Sequence, residues 1–462
     1  MSAPLILGTN SIKDVGYNVD NSLRFDDGSN DFLSFTQGTA TSRKTFSISV
    51  WVKRANLSAQ QQIFETWLDN NNRTDMQFTA SDKILLQQTL SGSTSINIET
   101  SRLFRDVLAW YHILAVFDTT ESTASDRVKL YINGVQETSF SPATYPSLNA
   151  DLALGTSSYT NFLGKYSSSG GNYFDGYMAE YVFTDGTALS NTDVGEFDED
   201  SGIWKPIDVS GLTFGTNGFY LDFEDSSALG NDVSGNNNDF TVNNLTSIDQ
   251  TTDTCTNNYA TLNPLDLKTS ESYTFADGNT KLTTGSLTRS TIAVDSGKWY
   301  CEVKCVSTTA WNGVIDMAQT LENGISTNSI ALYIGGATMY IDGSNQGSGG
   351  YGSVWSANDI MLLALDLDSA TKKIYFGKNG GWWNGSDYSA GSPTTGETLD
   401  ANITYGFTVG SGSGSVTNII NFGNPSYSIS SGNSDGNGYG NFEYSVPSGY
   451  YALNTKNLAE YG

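Results

Sequence analysis

The sequence predicts an all-β protein made of two tandem β-sandwiches joined by a structured connector. Glycine is frequent (48) and proline rare (8), while tyrosine and phenylalanine are abundant (25 and 22). That composition suits tight turns and half-buried strands. Short runs of alternating apolar and polar residues recur along the chain, separated by turn residues. Only Leu103–Trp110 hints at a helical turn. At 462 residues the chain has room for two or three domains.

Residues 1–22 read as a short arm with weak periodicity. The region 23–205 is then dense in strands. Thr45–Lys53 alternates, placing Phe46, Ile48, Val50 and Val52 on one face. Trp110–Asp118 reads as a buried strand, and Arg127–Gly134 alternates before the two-residue turn Asn133-Gly134. Tyr177–Asp185 closes this region. Residues 206–270 are polar and rich in Asn, Asp and Thr, with apolar anchors at Phe219, Tyr220, Leu221 and Phe223. They read as a structured connector. A second β region covers 271–427. Trp299–Cys305 alternates, Ile360–Leu367 is apolar on both faces, and Lys373–Phe376 runs to the turn Asn379-Gly380-Gly381. Ile419–Gly423 is a late strand. Residues 428–462 form a tail segment that opens with a Ser/Gly/Asn-rich stretch.

Charge and rare residues bound the chemistry. Acidic residues number 49 and basic residues 23, for a net charge of −26. A nucleic-acid partner is excluded on that balance, because duplex binding needs a basic face that releases counterions. Anionic lipid is disfavoured for the same reason. No apolar run approaches the roughly 20 residues that cross a bilayer. The first residues lack the charged and apolar regions of a signal peptide. The cysteines are Cys255, Cys301 and Cys305. Cys301 and Cys305, four apart on a strand, lie roughly 13 Å from each other, beyond disulfide reach. This sparse, odd count points to a reducing compartment. One histidine, His112, makes a multi-histidine metal site impossible within the chain.

The first β region resembles laminin-G-like, concanavalin-A-like jelly rolls. The residues that carry this are SLRFDDGSNDFLSF (Ser22–Phe35), FSISVWVKR (Phe46–Arg54), WYHILAVFD, KLYINGV and GYMAEYVFTDGTALS (Gly176–Ser190). The second resembles a SPRY domain, on SGKWYCEVK (Ser296–Lys304), ALDLDSATKKIYFGKNGGW (Ala364–Trp382) and INFGNP (Ile420–Pro425). It departs from many SPRY domains at Gly313-Val314-Ile315-Asp316. The whole chain, with GIWKP, NGFYLDF, SGNNNDFTVNN, NYATLNPL and GYYALNTKNL, resembles structural proteins of tailed phages that infect marine bacteria.

That resemblance implies a virion protein made in the host cytoplasm. It implies a tail fibre or receptor-binding adhesin that attaches reversibly to a host-surface glycan or protein, and no enzyme activity. A capsid fibre or decoration protein is the alternative, and a glycan depolymerase the third reading. The implied partners are other virion proteins, a host receptor and further copies of the chain, with a trimer favoured. Residues 1–22 and the C-terminal GYYALNTKNL would dock on the particle.

Candidate site residues follow from side-chain chemistry. Tyr351 and Trp355 flank a Gly-rich run, and Trp382, Trp383 and Tyr388 follow the Asn379-Gly380-Gly381 turn. Aromatic rings beside Asn and Asp can stack on sugar C–H faces, or they can simply cover a sheet edge. Asp232, Asn236, Asn238 and Asp239 cluster oxygen atoms that could take Ca²⁺, or could bond their own backbone. The loop Asp69–Asp75 is also oxygen-rich, but Thr74 and Ala80 break the EF-hand pattern. Glu196, Asp198 and Asp200 resemble part of the β-glucanase acidic strand but lack its last Glu, so a solvated acidic turn is expected. No catalytic residue is assigned, and His112 is expected to be structural.

Overall fold

The computed structural model describes residues 16–167, 171–347, 349–352, 354–411 and 416–462. The expected docking arm lies mostly on residues 1–15, outside the described residues. The chain divides between Thr256 and Asn257 into two compact units.

The first unit is a sandwich of two antiparallel sheets. One runs Val135–Glu137, Val128–Ile132, Trp110–Asp118, Thr45–Arg54, Gly176–Asp185, Ser22–Phe25 and Gln250–Thr251, with Phe219–Leu221 also paired to Gly176–Asp185. The other runs Phe140–Thr144, Ser93–Thr100, Ile84–Leu90, Asn72–Phe78, Gln61–Asp69, Thr160–Leu163, Phe32–Thr36 and Thr241–Asn243. Alternation explains the packing. Phe46, Ile48, Val50 and Val52 point inward and meet Phe64, Met76, Phe78 and Leu86 in one buried cluster. The turn after Val128–Ile132 needs left-handed backbone twice, and Asn133 (φ 49°) and Gly134 (φ 74°) supply it.

The stretch read as a connector does more than connect. Its segments Phe219–Leu221, Thr241–Asn243 and Gln250–Thr251 pair with strands from the beginning and end of the first region. Residues 206–256 thus complete the first sandwich, and 257–270 enter the second unit, supplying Leu262–Leu267. Asn and Asp fit this role because they satisfy backbone N–H groups where ladders stop. Asp232, for instance, accepts from the N–H groups of Tyr220 (2.9 Å), Ser234 (2.9 Å) and Asn238 (2.8 Å).

The helical hint at Leu103–Trp110 is a correction. Up to Trp110, where a strand begins, the backbone there is irregular. Phe104, Val107 and Leu108 are buried nonetheless, because the segment crosses the end of the sandwich as it passes between sheets. Their spacing reflects burial and not helical period.

The second unit also has two sheets. The seven-stranded sheet runs from Leu262–Leu267 through Thr288–Val294, Tyr405–Gly410, Trp311–Asp316, Ser329–Tyr333 and Thr338–Ile341 to Ser344–Asn345. The larger sheet centres on Lys298–Cys305 and Asp359–Asp366, with Lys373–Lys378, Gly381–Trp383 and Tyr388–Ser389 to one side. The tail 428–462 covers one face of that larger sheet. Phe442, Tyr450 and Ala452 pack on Tyr300, Leu362, Ala364 and Trp382. This is why Asp359–Asp366 is apolar on both faces. Tyr451–Ala452 runs parallel to Lys298–Cys305, and the α-helix Thr455–Tyr461 starts at Asn454, whose side chain accepts from the Asn457 N–H.

Buried carboxylates clasp the tail. Glu302 is fully buried and accepts from the Tyr300 hydroxyl (3.0 Å) and the N–H groups of Glu443 (3.0 Å) and Tyr444 (2.8 Å). Asp435 accepts from the Ala452 N–H (2.9 Å) and the Asn457 amide (2.8 Å).

Candidate functional site

Four of the five candidate aromatics come together. Gly381–Trp383 pairs with Tyr388–Ser389, setting Trp383 opposite Tyr388. Tyr351 stacks on Trp383 with centroids 4.9 Å apart and planes 25° apart. Tyr388 lies 5.7 Å from Trp383 and meets Trp355 edge-on at 5.8 Å. The Tyr388 hydroxyl donates to the Tyr351 carbonyl (3.0 Å), tying the Gly-rich loop to the sheet edge. Trp382 does not join them. Strand alternation turns it to the other face, where it meets Tyr300 and the tail.

The cluster has a dry base and a half-exposed rim. Trp355 and Trp383 are 2% and 6% exposed, whereas Tyr351 and Tyr388 are half-buried. Lys378 sits 5.2 Å from the Trp355 ring, donates to the Val354 carbonyl (3.0 Å) and pairs with Asp359 (3.1 Å). Burial pushes the Asp359 carboxyl up, but the Ser356 N–H, the Asn379 amide and Lys378 together hold it below the usual carboxylate range. Burial pushes the Tyr388 hydroxyl well up, so it stays a donor. The rim therefore offers tyrosine faces next to amide and carboxylate groups, a surface that can stack on a sugar ring or an apolar side chain.

The oxygen-rich loop is an internal hydrogen-bond network. Both Asp232 carboxylate oxygens are engaged, by the N–H groups of Tyr220, Ser234 and Asn238 and by the Ser234 hydroxyl. Asp239 accepts from the Asp232 N–H (2.9 Å). Asn236 and Asn238 turn their amide N–H groups to the carbonyls of Gly215, Thr216 and Gly218. The loop's polar groups thus bond the loop's own backbone and that of residues 215–220, the self-bonded arrangement weighed against Ca²⁺ binding. Among the described residues, no three His, Cys, Asp or Glu groups are set to hold a metal ion.

Glu196 and Asp198 face Lys205 at 3.2 and 3.5 Å, on the short hairpin of Glu196–Phe197 and Trp204–Lys205. His112 is buried between Trp51 and Trp204, and its Nε2 lies 2.9 Å from the Ser49 hydroxyl. Burial lowers its pKa to about 3, so it is neutral. Its Nδ1 has no hydrogen-bond partner, so the carboxylate that orients a catalytic histidine is missing.

Sequence reasoning missed two buried acidic sites. Glu180 sits in a β-bulge with φ 49°, accepting from the Tyr220 hydroxyl (2.7 Å) and the Tyr17 hydroxyl (3.4 Å). Burial, with the Asp222 and Glu224 charges, raises its pKa to about 8. Glu65 and Asp75 are cross-strand partners, and burial pushes both carboxyls up. A charge inside an apolar run marks Glu180 and Glu65 in the sequence, whereas Asp75 sits in the polar strand Asn72–Phe78 with nothing to single it out.

Residues 27–195 match the Laminin_G_3 family, the concanavalin A-like lectin/glucanases superfamily. No curated protein matches the chain. Among solved structures, the chain is similar to the native heptameric SAP-like pentraxin of Limulus polyphemus (16% identity, 38% of this chain and 81% of that one, TM-score 0.27). It is similar to the TRIM65 PSpry domain (13% identity, 35% and 88%, TM-score 0.28) and to domains LG4-5 of the mouse laminin α1 chain (11% identity, 88% and 88%, TM-score 0.30). The protein is thus an all-β chain of two sandwich units, the first of which matches the laminin-G-like, concanavalin A-like family model over residues 27–195.

Proposed function

We propose that this chain is a non-catalytic virion protein of a tailed phage, a tail fibre or receptor-binding adhesin that grips a host-surface glycan or protein. The observation that carries the reading is the Tyr351–Trp383–Tyr388 cluster, where half-exposed tyrosines rest on buried tryptophans beside a Gly-rich loop. Loops held on rigid sandwiches are common binding sites. Each contact is weak, and several copies on one particle, a trimer in the favoured arrangement, give avidity. The phage setting rests on the sequence resemblance. The test is competition. Free protein, added before phage, should lower infection of susceptible bacteria, and labelled protein should coat them; failure of both defeats the reading.

One observation favours the alternative, a capsid fibre or decoration protein. Much of the aromatic surface faces other rings of the cluster, as structural packing would have it. Density for the chain on capsid vertices in particle images would select that role.

A further inference from the structure

One lysine–carboxylate pair differs from the rest among the described residues. Lys53 Nζ lies 2.8 Å from Asp253 Oδ2, and the two side chains are 1% and 0% exposed. Every other such pair keeps its lysine in contact with water, the most enclosed being Lys378 at 14%. The comparably dry pair Arg54–Asp82 has a guanidinium, which is no nucleophile at neutral pH.

The setting is specific. Cross-strand register places Arg24, Tyr177, Lys53 and Trp110 in one row. Asp253 reaches this row from just beyond Gln250–Thr251. Its second oxygen, Oδ1, accepts from Trp110 Nε1 (3.2 Å), which polarises the carboxyl carbon. The Tyr177 ring lies 5.3 Å from Nζ. Tyr177 is itself fully buried, so water is kept from this side of the pair.

We propose that Lys53 and Asp253 condense into an intramolecular amide, a covalent staple in the first unit. The step balances without any co-reactant. The ammonium passes one proton to the carboxylate, giving a free amine and a carboxylic acid. The nitrogen lone pair attacks Cγ, the C–N bond forms, and the C–OH bond breaks. The hydroxyl leaves with the second amine proton as water. The driving force is electrostatic, because two buried charges become one neutral amide in a site that excludes water. The staple would tie the central strand Thr45–Arg54 to the last segment of the unit. It does not depend on the attachment reading.

Mass spectrometry decides the matter. Intact, folded and aged full-length protein, denatured for measurement, should weigh one water less than its sequence, about 18 Da. A proteolytic map should show a branched peptide joining Lys53 to Asp253. The Lys53→Met chain should regain its full sequence mass. Full mass in the unmodified chain overturns the proposal, as does a deficit mapped to other residues or one that persists in Lys53→Met.

Discussion

Replacing Glu180 by glutamine should stabilise the first unit in mild alkali and change little in acid. Glu180 is 6% exposed, and burial lifts its pKa from 4.5 to about 8. A carboxyl raised in the folded state contributes its full stability below pH 4.5. It loses that stability as pH climbs to about 8, because the unfolded chain releases the proton first. At 1.36 kcal/mol per pH unit this loss totals about 5 kcal/mol. Glutamine carries no charge and still accepts from the Tyr220 hydroxyl. Urea unfolding of the wild-type and Glu180→Gln chains at pH 5 and pH 9 would read the difference. The variant should gain stability relative to wild type as pH rises across this window. Parallel pH profiles for the two chains would refute the buried, protonated Glu180.

Other outcomes follow from the same structure. Gly215→Ala should cost at least about 2 kcal/mol, since φ is +73° and a Cβ would lie 1.8 Å from the Asp185 carbonyl oxygen; thermal melting checks it. Glu302→Ala strands the donors of Tyr300, Glu443 and Tyr444, so it should cost about 3 kcal/mol or more and hasten proteolysis within 428–462. Added Ca²⁺ or a chelator should leave the melting temperature unchanged, while Asp232→Ala lowers it by removing the acceptor for Tyr220, Ser234 and Asn238. A calcium-dependent rise in melting temperature would contradict the hydrogen-bonded account of that loop.

What the sequence reveals depends on how local the cause is. Thr45–Arg54 and Trp110–Asp118 were legible because inward side chains repeat every second residue, and Asn133-Gly134 because few other residues accept two positive φ angles. The role of 206–256 was not legible. Thr241–Asn243 pairs with Phe32–Thr36 across some two hundred residues, and its own composition reads as loop. The tail was obscure for the same reason, since it is ordered by Glu302, which lies far away in sequence. Within the site, the cluster of turn and aromatics at 379–388 stood out. That Trp383 joins Tyr351 while Trp382 turns to the core depends on which face the tail covers. Glu180 stands out as a charge in an apolar run, but the bulge between Ala179 and Val182 that accommodates it does not.

The attachment account is tested most directly by the binding isotherm of labelled full-length protein on susceptible bacteria, measured for wild type and for Tyr351→Ala and Tyr388→Ala. Tyr351→Ala leaves the Tyr351 carbonyl in place, whereas Tyr388→Ala also removes the hydroxyl that donates to it, so binding is compared at a temperature where each variant is folded. The account predicts that each substitution weakens binding about tenfold, equivalent to 1.4 kcal/mol of ring contact, with Tyr388→Ala also lowering the melting temperature because it loses packing on Trp355 and Trp383. Unaltered binding by both folded variants, or no binding by the wild type, would contradict it.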